Sequence, residues 1–359
     1  MLRRFSPRNP NKREKLLSCQ VFILILCVVI AGIFLLRIPA KEANTLAPDT
    51  LMTLHIPRGA PFTQIADSLI QRGLIESRRR FYWSARLKGK TDKLQAGNYR
   101  VPGGLCYGEL VNFLSVAQPL QIRVTIPEGL EFEETAALLS EYFPFSAEDF
   151  AAYKDSVHLF HLPFKISSLE GFLFPETYDF YENATPREII HRIIRQFLIE
   201  VDDSLRQIIH QKGKTVEEII TMASIIQGEA MIHDEMPIIA SVYYNRLKRG
   251  MKLQADPTIQ YIVPGPKIRL RQRHLEIDSP YNTYLYHGLP PGPVNSPGRD
   301  AILAAIFPDT TKYLYFVARG DGSHVFSRTH QEHLKAKAAF QQVRWEVYRQ
   351  QQREKIPSP

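Results

Sequence analysis

Cysteine is nearly absent from this chain: three in 359 residues, at Cys19, Cys27 and Cys106. The first two fall inside an apolar run, where they act as small hydrophobes, so Cys106 alone lies beyond it. That excludes an intrachain disulfide in everything after the run, and any zinc site built on cysteines. The signatures of several large enzyme classes are missing as well. There is no GxxxxGK[ST] loop to cradle phosphates, no GxGxxG fingerprint, no HExxH and no GxSxG. His274, His287, His324, His330 and His333 are scattered without metal-ligand spacing, and His324 and His330 read as supports of a hairpin. Neither a metal nor a cofactor is expected. A disordered bias is lacking too, since 44% of residues are hydrophobic and 23% charged.

Negative charge is in short supply, with 37 acids against 45 Lys and Arg and a net charge of +8. Such a balance favours an acidic partner, whether nucleic acid, anionic lipid or an anionic cell-wall polymer. Part of the excess is local. Arg3, Arg4, Arg8, Lys12, Arg13 and Lys15 crowd residues 1–15, and Leu16 to Leu36 then reads LLSCQVFILILCVVIAGIFLL. About 20 apolar residues cross a bilayer as a helix. A cleavable signal peptide has a shorter apolar stretch and a small-residue cleavage site; Arg37, Ile38 and Pro39 follow instead. The expectation is an uncleaved type II anchor, with residues 1–15 cytoplasmic and the rest outside the cell membrane.

Residues 37–50 read as a short polar tether. Two related segments follow, LHIPRGAPFTQIADSLIQRG from Leu54 and VTIPEGLEFEETAALLSEYF from Val124, matching at a constant offset of 70. Pro57 and Pro127, Gly59 and Gly129, Phe62 and Phe132, Ala66 and Ala136, and Leu69 and Leu139 correspond. Each reads as strand, Pro/Gly turn and helix. The first continues to a β-α-α-β-α unit of about 65 residues over 51–117, whose size and order resemble a LysM-like module. A second domain is expected over 118–345, followed by a polar tail, 346–359. Within it Thr185-Pro186 opens a helix. Further helices start near Thr215, span Asp234 to Lys248, and run from Ser296 to Ala305. TKYLYFVAR and SHVFSRT pair as a hairpin across Gly320-Asp321-Gly322. The class is α+β.

The segment Thr215 to Tyr261 is the most informative. On a helical wheel Ile219, Met222, Ala223, Ile226 and Ala230 form one stripe with Glu229 on its edge. Glu217 and Glu218 read as solvated acids of the first turn. Gly228 lets another backbone or a sugar approach closely. A lone carboxylate carried into apolar surroundings keeps its proton near neutral pH, as protonating a glycosidic oxygen requires. Behind it stand Tyr243, Tyr244, Asn245, Arg246, Gln254 and Asp256, and later Tyr281 and Asn282. Flat aromatic faces with amide and hydroxyl donors suit a sugar polymer better than a charged nucleotide. A helix end in an ordinary salt bridge is the plainer reading of Glu229, and a packed helix with a structural loop accounts for many of the others singly.

LEGFLFPETY (Leu169 to Tyr178), MASIIQGEA, ASVYYNRL, GMKLQADPTIQY, SPYNTYLYHGLPPGPVNSPG and YLYFVARGDGSHVFS together resemble the endolytic murein transglycosylases of the MltG (YceG-like) type. The resemblance covers about Leu51 to His333. It implies cleavage of the β-1,4 bond between N-acetylmuramic acid and N-acetylglucosamine in nascent glycan strands, leaving a 1,6-anhydro end and consuming no water. It places the catalytic acid at Glu229. Many members carry a second acid two residues earlier, where this chain has Gln227; if that position bore the chemistry, this protein would be inactive. Asn245, Gln254, Tyr281 and Asn282 are the expected sugar-holding residues, with Arg246 pairing Asp256. The implied partners are peptidoglycan strands and their synthases, with no nucleic acid. Three rivals stay open: a muramidase-type hydrolase with Asp256 as the water-activating base, a non-catalytic wall-binding scaffold, and a DNA-binding membrane protein.

Overall fold

The computed structural model describes residues 20–30, 32, 37, 42–43, 46–265 and 269–354, with side chains only as far as residue 342. The basic segment 1–15 and much of the 16–36 run lie outside these. Residues 20–30 are helical and exposed. Among the described residues no helix is long and apolar enough to cross a membrane. The chain divides into two compact units, 1–122 with 181–183, and 123–180 with 184–359.

In the first unit, β1 (Leu51–Ile56) pairs antiparallel with β2 (Gly97–Pro102), from Leu51 opposite Pro102 to Ile56 opposite Gly97. The inward side chains of this hairpin, Leu54, Ile56, Tyr99 and Val101, meet Ile65, Ala66 and Leu69 of α1 (Phe62–Gln71), Phe81 and Ala85 of α2 (Arg78–Leu87), and Leu110, Val111 and Leu114 of α3 (Tyr107–Val116). The order is β-α-α-β-α. Cys106 caps α3, its sulfur accepting the Glu109 N–H while the Glu109 carboxylate accepts that of Cys106. The tether is not free-standing where it is described. Ala43 is fully buried and Leu46 packs on the same core, because the Ala43 N–H bonds to the Leu105 carbonyl and its carbonyl takes the Glu76 N–H.

The second unit begins within β3 (Gln121–Thr125) and continues through α4 (Phe132–Ser140) and α5 (Ala147–Ala151); β4 (Thr177–Tyr181) pairs with β3, and Arg123 forks onto Asp179. Here the sequence repeat becomes visible. Ile126, Ala136 and Leu139 are buried like Ile56, Ala66 and Leu69, and Gly59 and Gly129 both adopt positive φ, +68° and +79°. A helical body follows: α6 (Pro186–Glu200), α7 (Asp203–Gln211), α8 (Val216–Glu229), α9 (Met236–Lys248), α10 (Asp256–Ile262), α11 (Gln272–Leu275) and α12 (Arg299–Ile306). The chain closes with the hairpin β5 (Tyr315–Ala318) and β6 (His324–Ser327) and the helix α13 (His330–Glu354). The last helix before the hairpin starts at Arg299 rather than Ser296. Ser296 precedes a proline, which disfavours helical backbone, and its N–H is taken by the Leu130 carbonyl.

Candidate active site

Thr215 caps α8: its hydroxyl accepts the Glu218 N–H at 3.1 Å, and the Glu218 carboxylate returns to the Thr215 N–H at 2.8 Å. Glu217 takes the Ser167 N–H at 2.7 Å. Both acids are therefore half-buried and tied to backbone, not freely solvated as expected. From Ile219 to Ile226 every residue is buried, so α8 runs through the core on all sides rather than on one stripe. Glu229 is its last residue, where the helix leaves that core. Gly228 explains what stands beside it. A Cβ there would lie 2.6 Å from Pro257 Cγ, so only glycine lets the start of α10 close onto the end of α8.

That contact sets Asp256 against Glu229. The Glu229 carboxylate accepts the Tyr243 hydroxyl at 2.8 Å and a backbone hydrogen bond from Asp256. Burial, and then the Asp256 charge, push the Glu229 pKa up to about 7, against the Tyr243 bond, the Asp256 amide and the Arg246 charge. The group keeps its proton through mildly acidic pH and can give or take one near neutrality. It lies in a cleft of about 400 Å³. Among the described residues no group of His, Cys, Asp or Glu is arranged to hold a metal.

The cleft gathers Glu229, Arg246, Gln254 and Asp256 of the expected site residues. Gln254 is exposed there with φ +50°, a left-handed backbone that a glutamine rarely adopts. Its N–H is fixed by the Thr283 carbonyl. Arg246 does not pair with Asp256. Its guanidinium is spent on the carbonyls of Leu314 and Leu253, both at 2.6 Å, and lies over the Tyr315 ring. The Asp256 carboxylate instead accepts the Tyr284 hydroxyl at 2.5 Å. Asn245, Tyr281 and Asn282 do not line the cleft. Asn245 gives its amide to the carbonyls of Thr311 and Tyr313, and the fully buried Asn282 gives its own to Leu275 and Ile277. Tyr281 packs against Tyr261 with the rings tilted, their centres 4.9 Å apart. All three brace the loops that frame the site.

Gln227 faces elsewhere. Its side-chain oxygen accepts the Gly298 N–H at 3.0 Å, outside the cleft. Sequence reasoning left out Tyr284, Phe316 and His324, which do line it. The hairpin motif YLYFVARGDGSHVFS was the available signal, but a strand pattern does not say which ring faces a distant helix end.

The YceG-like family model matches residues 54–339. This chain belongs to the YceG-like family. The endolytic murein transglycosylase of Bacillus subtilis (strain 168) is 34% identical to this YceG-like chain over 331 residues, 87% of the chain and 91% of that protein. The endolytic murein transglycosylase of Streptococcus pneumoniae (strain D39) is 32% identical over 316 residues, 78% of the chain but 56% of that longer protein. A crystal structure of a yceG-like protein from Listeria monocytogenes superimposes with a TM-score of 0.55 at 29% identity, covering 79% of this chain and 98% of that one.

Proposed function

We propose that this YceG-like chain is an endolytic lytic transglycosylase that cuts the β-1,4 bond between N-acetylmuramic acid and N-acetylglucosamine within peptidoglycan strands. The observation that carries the reading is Glu229, a carboxylic acid with its pKa near 7 standing in an open cleft. The names of the relatives point to the same chemistry. Glu229 donates its proton to the glycosidic oxygen as the bond to muramic C1 breaks and C1 gains oxocarbenium character. The carboxylate so formed takes the proton of the C6 hydroxyl of the same sugar, and O6 closes on C1 as the 1,6-anhydro ring. The proton returns to Glu229, no water is consumed, and no second carboxylate is required. Gln254 and Asp256 border the sugar, and Asp256 holds the acid's pKa up.

The run at 16–36 serves as a type II membrane anchor, setting the catalytic unit on the outer face of the cell membrane beside peptidoglycan synthases. There it limits strand length during wall synthesis. The first unit binds glycan in the manner of a LysM-like module. The test is mass spectrometry of muropeptides released from sacculi by the full-length protein. Its products end one water lighter than hydrolytic ones, and Glu229→Gln releases none while staying folded and in the membrane fraction. Hydrated reducing ends would assign a hydrolase, and retained activity in Glu229→Gln would remove Glu229 from its role.

A further inference from the structure

The reaction above makes no use of His324, which opens β6 and lines the cleft with Glu229. Glu235, in the short turn His233–Glu235 before α9, grips it twice. The His324 N–H donates to Oε1 at 3.0 Å, and Nδ1 lies 2.7 Å from Oε2. An ionised carboxylate only accepts, so the Nδ1 proton is held toward Glu235, and in the neutral form of the ring it is Nε2 that presents the lone pair. Among the described residues Nε2 has no protein partner. The ring stands edge-on to Phe316 at 5.3 Å, and Phe316 edge-on to Tyr243 at 5.8 Å, the tyrosine that bonds Glu229. Ala318, which pairs with His324 across the hairpin, continues that side of the cleft. A fixed hydrogen-bond acceptor thus sits beside an apolar wall, in the same cleft as the acid.

A sugar hydroxyl would use the acceptor and leave the wall empty. An acetamido group uses both, through its N–H and its methyl. We propose that this corner is a pocket for the 2-acetamido group of the sugar seated in the cleft, with His324 Nε2 accepting its N–H and Phe316 and Ala318, on the same face of β5, covering its methyl. His324 then touches substrate, and Glu235 is a positioning residue acting through it. The assignment rests on the reading of the chain as glycan-cleaving.

The test titrates full-length Glu229→Gln protein in detergent, by calorimetry, with the β-1,4 tetramer of N-acetylglucosamine and the matched tetramer of glucosamine. The acetylated tetramer binds at least about tenfold more tightly, and adding His324→Ala brings the ratio close to one. Glu235→Gln has the same effect with the ring still in place. A glutamine oxygen that keeps the His324 N–H turns its amide N–H toward Nδ1, which forces the proton onto Nε2 and sets donor against donor. His324→Gln, which keeps an acceptor, restores part of the ratio. A ratio unchanged in His324→Ala, equal binding of the two tetramers, or no binding of the acetylated one overturns the pocket. Release of 1,6-anhydro ends by the unmutated enzyme is scored separately, so a failed lyase reading is not mistaken for a failed pocket.

Discussion

A glutamate in water gives up its proton near pH 4.5, whereas Glu229 holds it to about 7 because burial and the Asp256 charge both penalise the carboxylate. The two neighbours act with opposite sign, so their removal moves activity in opposite directions. Asp256→Asn keeps the backbone amide but deletes the repelling charge; the Glu229 pKa falls, and the basic limb of the kcat/KM profile shifts to lower pH with a severalfold loss at pH 7. Tyr243→Phe deletes a bond that favours the carboxylate, and the same limb shifts to higher pH. Profiles measured on purified glycan check both, and equal shifts of one sign would contradict the electrostatic account. The place of Glu229 at the end of an apolar helix was legible in the sequence. The partners of the polar residues were not. Residue type announces that Asn245 and Asn282 can donate, but only the folded loops decide that backbone carbonyls at 311, 313, 275 and 277 receive those bonds.

Between elements, the contact of Gly228 with Pro257 decides how closely α10 meets α8. Alanine is the better helix former by about 1 kcal/mol, yet a proline ring cannot rotate away from a new methyl, and overpacking costs about 1–3 kcal/mol. Gly228→Ala is therefore expected to lower Tm and, by pushing Asp256 away, to move the basic limb of the pH profile down; an unchanged Tm would show that α10 gives way freely. A second tie lies farther from the acid. Glu170, in LEGFLFPETY, is 1% exposed, pairs with Lys154 at 2.9 Å and accepts the Phe132 N–H at 3.1 Å. Lys154→Ala strands that carboxylate and should cost about 3–5 kcal/mol in denaturant unfolding, largely recovered when Glu170→Gln is added. Elements with strong local punctuation were readable, such as the Thr185-Pro186 start, the hairpin at Gly320 to Gly322, and the two strand-turn-helix copies. The start of α12 was not, because it depends on a bond from Ser296 to Leu130, which lies far away in sequence.

Over the whole chain, sequence order gives a strand-helix module followed by a helical body, and the structure divides close to that seam, with residues 181–183 returning to the first unit. Neither the return nor the burial of Ala43 has a local signature. Both are set by hydrogen bonds to partners far away in sequence, such as the Glu182 N–H to the Leu120 carbonyl and the Ala43 N–H to that of Leu105. The anchor proposal is tested at this scale. Full-length protein stays with membranes through a carbonate wash, and deletion of residues 1–36 releases it with activity on soluble glycan intact. Full release of the undeleted protein by carbonate would exclude a spanning anchor.

Glu229 and Asp256 stand 27 positions apart along the backbone and meet only because residue 228 has no side chain. In an unfolded copy each is a commonplace acid, ionised at physiological pH and useless for splitting an acetal. The raised pKa is therefore made by folding itself. Any change that loosens that one seam weakens the carboxyl's hold on its proton without altering the carboxyl itself.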